Sequence, residues 1–110
     1  MHAQIVNFHL ADLGEEDYRA LGAQLAPAYA ALPGLLAKVW LADPGSNTYG
    51  GVYLWRDPEA MRDYMASELL AGVLSSPHIV DVTSRDFAVY EDLTAVTQPA
   101  IRVVGQGVAA

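Results

Sequence analysis

The side chains of this sequence best suited to chemistry fall into two stretches. Asn7 and His9 stand one pleat apart in AQIVNFHL, while Lys38, Trp40, Tyr53 and Trp55 punctuate GLLAKVWLADPGSNTYGGVYLWRD. His9 is the natural base, because an imidazole titrates near neutrality and small environmental shifts tune it. Asn7, Tyr53 and the indole N–H groups of Trp40 and Trp55 are donors for the oxyanion left when a proton is taken from an acidic C–H or O–H. Such donors are worth about 3 kcal/mol each when preorganised. Lys38 is unusual in an otherwise apolar strand. It either offers an ammonium to an anion or snorkels to water at a rim. Arg85 joins the group if the last strand takes the parity that also brings Phe87 inward. The bland alternative is that the aromatic residues only pack and His9 only binds a backbone carbonyl or solvent.

Other chemistries fail on residue type or spacing. The chain has no cysteine, which removes disulfides, thiolate nucleophiles and cysteine-ligated metals. His2 and His9 are seven apart on one strand and face opposite sides, so no metal site is expected. Ser75, Ser76, His78 and Asp81 lack a nucleophile elbow, and His78 reads as a loop residue. Gly50-Gly51 and Gly105-Gln106-Gly107 make no dinucleotide fingerprint, and no cofactor is expected. Six basic residues against thirteen acidic ones, a formal charge of −7, leave nothing to neutralise a row of phosphates, so nucleic acid is excluded as a partner.

The elements that must position these groups follow from periodicity. A chain of 110 residues, 53% hydrophobic and 17% charged, predicts one globular domain with a real core. Residues 3 to 10 alternate Val6, Phe8 and Leu10 with Asn7 and His9, as a two-faced strand does. Glu15, Glu16 and Asp17 then favour a helix start, and Tyr18, Leu21, Leu25, Tyr29 and Leu32 continue at helical spacing with a bend at Pro27. Pro33-Gly34 ends that helix. Strands over 35 to 42 and 48 to 56 flank the turn formers Asp43 to Asn47, which predicts a hairpin. Asp57-Pro58-Glu59 caps a second helix, broken near Ser67 and ended by Ser75-Ser76-Pro77. A last strand covers about 79 to 90, its alternation slipping around Thr83 to Asp86.

The order βαββαβ predicts a ferredoxin-like α+β fold, a four-stranded antiparallel sheet with both helices on one face. The domain covers 1–93, and 94–110 is a C-terminal tail, a candidate dimer-contacting arm in which IRVV at 101 to 104 could form a short strand. No charged leader or apolar span of membrane length is present, which makes a cytoplasmic location the default and a membrane no partner.

Both faces of the predicted sheet are rich in apolar residues. With Val6, Phe8, Leu10, Leu35, Ala37, Val39, Leu41, Val52 and Leu54 under the helices, the opposite parity presents Ile5, Asn7, His9, Leu36, Lys38, Trp40, Tyr49, Tyr53 and Trp55. Covering that aromatic face is worth on the order of 10 kcal/mol, and a second copy of the chain is the simplest cover. The homodimer would then enclose a pocket for a flat or hydrophobic small molecule, oriented by Asn7, His9, Lys38 and Tyr53.

The run GLLAKVW, followed after the turn by GGVYLW, together with QLAP at 24 to 27, resembles the YdhR-like monooxygenase family over roughly residues 3 to 92. That family belongs to the dimeric α+β barrel group containing the antibiotic-biosynthesis monooxygenases. The resemblance implies a homodimer whose barrels bind aromatic or polyketide-like substrates, some members oxygenating them with O₂ and no flavin, haem or metal. Others degrade haem with an Asn, a Trp and a His. Here Asn7 matches the first, but Tyr64 and Leu74 stand at the other two, which argues against haem degradation. The expectation is a cofactor-independent monooxygenase with His9, Asn7 and Tyr53 as catalytic residues and Lys38, Trp40, Trp55 and Arg85 binding the substrate. An isomerase or cyclase in the same pocket, or a binding protein without turnover, are the alternatives.

Overall fold

A computed structural model describes residues 1–97 of the chain. Strand β1 (His2–Leu10) leads into helix α1 (Glu15–Ala30). The hairpin β2 (Leu35–Asp43) and β3 (Thr48–Trp55) follows, then α2 (Pro58–Met65), α3 (Glu68–Leu74), β4 (Ile79–Ala88) and a short α4 (Glu91–Thr97). The four strands form one antiparallel sheet in the order β2-β3-β1-β4. This is the ferredoxin-like α+β arrangement that the element order predicts. The tail expected at 94–110 overlaps the end of α4, and IRVV at 101 to 104 lies outside the described residues.

Local chemistry sets the element ends. The first turn of α1 carries Glu15, Glu16 and Asp17, which complement the helix dipole. Pro27 is accommodated within α1, and Gly34 reverses the chain in a left-handed conformation, φ 78°, where an added Cβ would lie 2.6 Å from that of Ala60. Asp57 caps α2 by accepting from the Ala60 amide at 2.8 Å, and Pro58 occupies the first helical position. Ser67 divides the second helical stripe in two. Its hydroxyl donates to the Tyr64 carbonyl at 2.6 Å and accepts from the Leu70 amide at 3.2 Å, closing α2 and capping α3. At the hairpin tip Asn47 is left-handed, φ 51°, and its side chain bonds both backbone groups of Leu10, which ties the turn to β1.

The hairpin's parity differs from the sequence-based expectation. Val6, Phe8 and Leu10 of β1 do pack under the helices. Cross-strand register then places Tyr53 opposite Gln4, Tyr49 opposite Phe8 and Lys38 opposite Tyr53, so the aromatic set of the hairpin shares that face. Trp55 is fully buried there, its indole N–H donating to Gln4 Oε1 at 3.0 Å, while Gln4 Nε2 donates to Ser84 Oγ at 3.0 Å. The outer face carries Ile5, Asn7 and His9 from β1 with Ala37, Val39, Leu41, Val52 and Leu54 from the hairpin. Val39 is 47% exposed. A register shift between Leu35 and Ala37 puts Leu35 on the helix face against Trp55 and leaves Leu36 extruded. A second irregularity, in the β1–β4 pairing, places Asp81 at φ 57°.

Candidate active site

The space between sheet and helices holds a cavity of about 50 Å³, walled by residues of β1, α1, β2, β3, α2, α3 and β4. Apolar walls come from Val6, Phe8, Leu25, Leu70 and Ile79; the polar groups are Tyr18, Tyr29, Lys38, Tyr53 and Tyr64. Three constraints deliver these five polar groups. Helical spacing brings Tyr18 and Tyr29 of α1 over the sheet, the capped α2 turns Tyr64 inward, and cross-strand pairing sets Lys38 beside Tyr53.

Lys38 owes its position to small neighbours. Gly51 lies opposite Trp40, and a Cβ on Gly51 would come within 3.1 Å of Lys38 Cε and 3.3 Å of the Tyr53 ring. The absent side chain is thus the floor on which the lysine stem lies. Gly22 of α1 plays the same part for Trp40, whose ring an added Cβ would approach to 3.3 Å. Lys38 Nζ ends 3.3 Å from the centre of the Tyr29 ring, 3.5 Å from that of Trp40 and 4.9 Å from that of Tyr53. Burial pulls its amine down from 10.5 to about 7. The three ring faces act in the opposite sense, since their quadrupoles favour the charged form. Both protonation states are therefore within reach near neutrality.

Beside the amine stand three buried phenols. The hydroxyls of Tyr29 and Tyr64 are 2.8 Å apart, and that of Tyr53 is 3.4 Å from Tyr64. Burial, followed by the influence of the neighbouring phenols, holds Tyr53 and Tyr64 well above the ordinary phenol range, and burial pushes Tyr18 up to about 12. These hydroxyls stay protonated and can only donate to, or share a proton with, an anion placed among them. A lysine kept partly neutral next to phenols kept protonated is a base next to acids.

Of the residues singled out from sequence, Lys38, Trp40 and Tyr53 meet in this cavity. Trp55 does not reach it; it stacks behind Tyr53, rings 5.9 Å apart and 2° from parallel. Asn7 and His9 are on the far side of the sheet, because β1 alternates and its helix-facing positions are Gln4, Val6, Phe8 and Leu10. His9 there bonds Asp81 through Nδ1 at 3.0 Å, with both side chains substantially exposed. Arg85 shares the far side, opposite Ile5, its guanidinium 5.2 Å from the Phe87 ring centre. The expected set is thus divided between two faces, and Asn7 shares no cavity with Tyr64. His78 is a turn residue, its Nδ1 2.8 Å from the Ala11 carbonyl oxygen.

Sequence reasoning places Tyr18 and Tyr29 only in a helical stripe, and Tyr64 in a stripe and at the haem degraders' Trp position, without marking any of the three as a site residue. Their hydroxyls were the available signal: a tyrosine on a buried helix face needs a partner for its O–H, and three of them on converging elements imply a shared polar centre.

A wider crevice of about 290 Å³ lies outside the cavity, between the end of α1 and β2. Tyr29, Lys38 and Trp40 border both spaces and form the partition between them. Among the described residues no group of three or more His, Cys, Asp or Glu is arranged to hold a metal, and no helix is long and apolar enough to cross a membrane.

Known proteins with the same architecture include SnoaB, a cofactor-independent oxygenase from Streptomyces nogalater (TM-score 0.63, 19% identity, 80% of this chain and 92% of that one). The haem degrader MhuD of Mycobacterium tuberculosis is similar to the same degree (TM-score 0.65, 19% identity, 82% and 96%). An antibiotic biosynthesis monooxygenase superposes with TM-score 0.66 at 18% identity over 81% of this chain and 98% of the other. At these identities the likeness is one of fold. No curated protein matches the sequence. The family model described as "Putative mono-oxygenase ydhR" does match, over residues 4–100. That match takes in nearly all of the four-stranded sheet and the helices packed on it, and the chain belongs to the ydhR mono-oxygenase family.

Proposed function

We propose that this protein is a homodimeric, cofactor-independent monooxygenase that oxidises an aromatic or polyketide-like small molecule in the cavity between helices and sheet. The supporting observation is the cavity's composition: apolar and aromatic walls suited to a flat substrate, with one amine and four phenols, three of them clustered, as its polar groups. Membership of the ydhR family and the fold shared with SnoaB, itself a cofactor-independent oxygenase, support the same function.

The chemistry asks little of the protein. A base takes a proton from an activated C–H or O–H, the phenols of Tyr29, Tyr53 and Tyr64 hold the resulting oxyanion, and the electron-rich carbanion adds O₂. One oxygen atom stays on carbon as a new carbonyl and the other leaves as water, carrying the two hydrogens lost from a CH₂ group. Tyr53 is the one member of the trio His9, Asn7 and Tyr53 with a part in this cavity. The outer sheet face, with Ile5, Val39 and Phe87 partly exposed, supports pairing with a second copy.

Oxygen uptake with an anthrone-type substrate tests the proposal, with ¹⁸O₂ label expected in the quinone formed. Turnover that continues under strict anaerobiosis would instead mark an isomerase or cyclase. Tight binding with no turnover in either atmosphere would mark a binding protein.

A further inference from the structure

The base of this site is absent from the positions where sequence pattern suggests it, since His9 is on the other side of the sheet. Among the side chains that border the cavity, one carries a basic nitrogen. Lys38 Nζ meets only ring faces: Tyr29 of α1, Trp40 of its own strand and Tyr53 of β3, with Tyr64 of α2 and Tyr18 of α1 completing the ionisable groups around the space. No carboxylate is within ion-pair distance of it among the described residues. A lysine held by an Asp or Glu would stay charged and could not take up a proton. A lysine boxed by aromatic faces keeps its lone pair available when neutral and has its cation stabilised once formed.

We propose that Lys38 is the proton acceptor of the site, taking the acidic proton of a phenol or enol substrate so that the substrate is held as an oxyanion between the new ammonium and the Tyr29–Tyr53–Tyr64 hydroxyls. The substrate's O–H bond breaks, its electron pair stays on oxygen, and an N–H bond forms at Nζ. The assignment rests on the cavity being the substrate site of the proposed monooxygenase. The amine's displacement to about 7 fits the role, because an acceptor must be neutral at the pH at which it works. The geometry also limits the substrate class. An acidic hydroxyl on a flat ring can lie along the faces of Tyr29 and Trp40, whereas a carboxylate arrives already ionised and needs no acceptor.

The test uses the full chain and 1-naphthol at about pH 8, where the free probe is almost wholly neutral and the amine largely unprotonated. On binding, the absorbance band of naphtholate should appear with no proton released to the buffer, because the amine keeps it. Lys38→Met should bind the probe without that band. Lys38→Arg, charged throughout, should keep the band but release one proton per bound probe. Circular dichroism checks that both variants are folded. A wild-type protein that shows no naphtholate band, or releases a proton with it, would overturn the assignment, as would an undiminished band in Lys38→Met. With an anthrone, Lys38→Met should take up oxygen about a hundred-fold more slowly. A Lys38-dependent naphtholate without oxygen uptake would remove the oxygenase function and leave the acceptor. Full oxygen uptake in Lys38→Met would do the reverse.

Discussion

The Tyr29 hydroxyl on α1 and the Tyr64 hydroxyl on α2 are joined by a 2.8 Å hydrogen bond in the buried layer between helices and sheet. The third phenol, Tyr53, stands further off at 3.4 Å from Tyr64. Tyr64 is therefore the hinge of the cluster, and losing its oxygen strands the other two. Tyr64→Phe should destabilise the protein by about 1–3 kcal/mol, the range for orphaning a buried polar group, and Tyr53→Phe by less. In urea unfolding, adding Tyr29→Phe to Tyr64→Phe should cost less than Tyr29→Phe costs alone.

Lys38 makes stability depend on pH in a definite direction. Its folded-state value, about 7, lies below the unfolded 10.5, so between these the unfolded chain binds the extra proton and stability rises with pH. Below about 7 both states are charged and the full cost of burying the ammonium is present. The cost is on the order of 2–4 kcal/mol once the ring faces are set against burial. Above about 10 the buried tyrosines, raised in the folded state, reverse the trend as the unfolded chain loses their protons. Lys38→Met should accordingly be more stable than the wild type at pH 7, the gap narrowing as pH approaches 10. Chemical unfolding of both proteins across that interval measures it.

Two glycines should respond oppositely to alanine. At Gly50, φ is 151° and a Cβ would sit 1.8 Å from the Val6 carbonyl oxygen, a backbone clash that nothing nearby can yield to. Gly50→Ala should cost about 3 kcal/mol or more and lower the melting temperature sharply. Gly72, exposed within α3, has no atom within 4 Å of the added carbon. There the gain in helix propensity, about 0.5–1 kcal/mol, should raise the melting temperature.

The outer sheet face supplies a test of assembly. Sedimentation at micromolar concentration should find the wild type dimeric and Val39→Glu monomeric, because a carboxylate there would be buried without a partner. A wild-type monomer would contradict the proposed pairing.

The order of elements, their caps and the hairpin were legible because each is written locally: alternation in residues 3 to 10, Asp57-Pro58 before α2, Ser67 at the break, Asn47 at the turn. The face of the hairpin was not. Leu35, Ala37, Val39 and Leu41 are as hydrophobic as any core strand, and hydrophobicity alone cannot choose between two buried-looking faces. Size could have decided it. Trp40, Tyr53 and Trp55 need the depth of a helix-on-sheet layer, and Gly51 and Gly22 supply the room that rings and a lysine stem require. The extruded Leu36 misleads further, since Leu35 and Ala37 are two apart yet face opposite ways. The expected site residues follow from that parity: His9 and Lys38, grouped on one face by alternation, lie on two sides of the sheet. The phenol cluster was hidden for another reason, being assembled from α1, β3 and α2 by contacts that no short stretch contains.

The partition between crevice and cavity is built from the side chains that hold the amine, Tyr29, Trp40 and Lys38 itself. The inner space, about 50 Å³, admits no flat polycyclic ligand unless this partition moves, and its movement separates the ammonium from the indole. Arrival of a ligand is therefore written into the emission of Trp40. The second tryptophan, Trp55, is sealed in the core at the end of β3 and supplies a steady background. The protein carries its own optical reporter, and stopped-flow fluorescence would time the opening of the wall without any label.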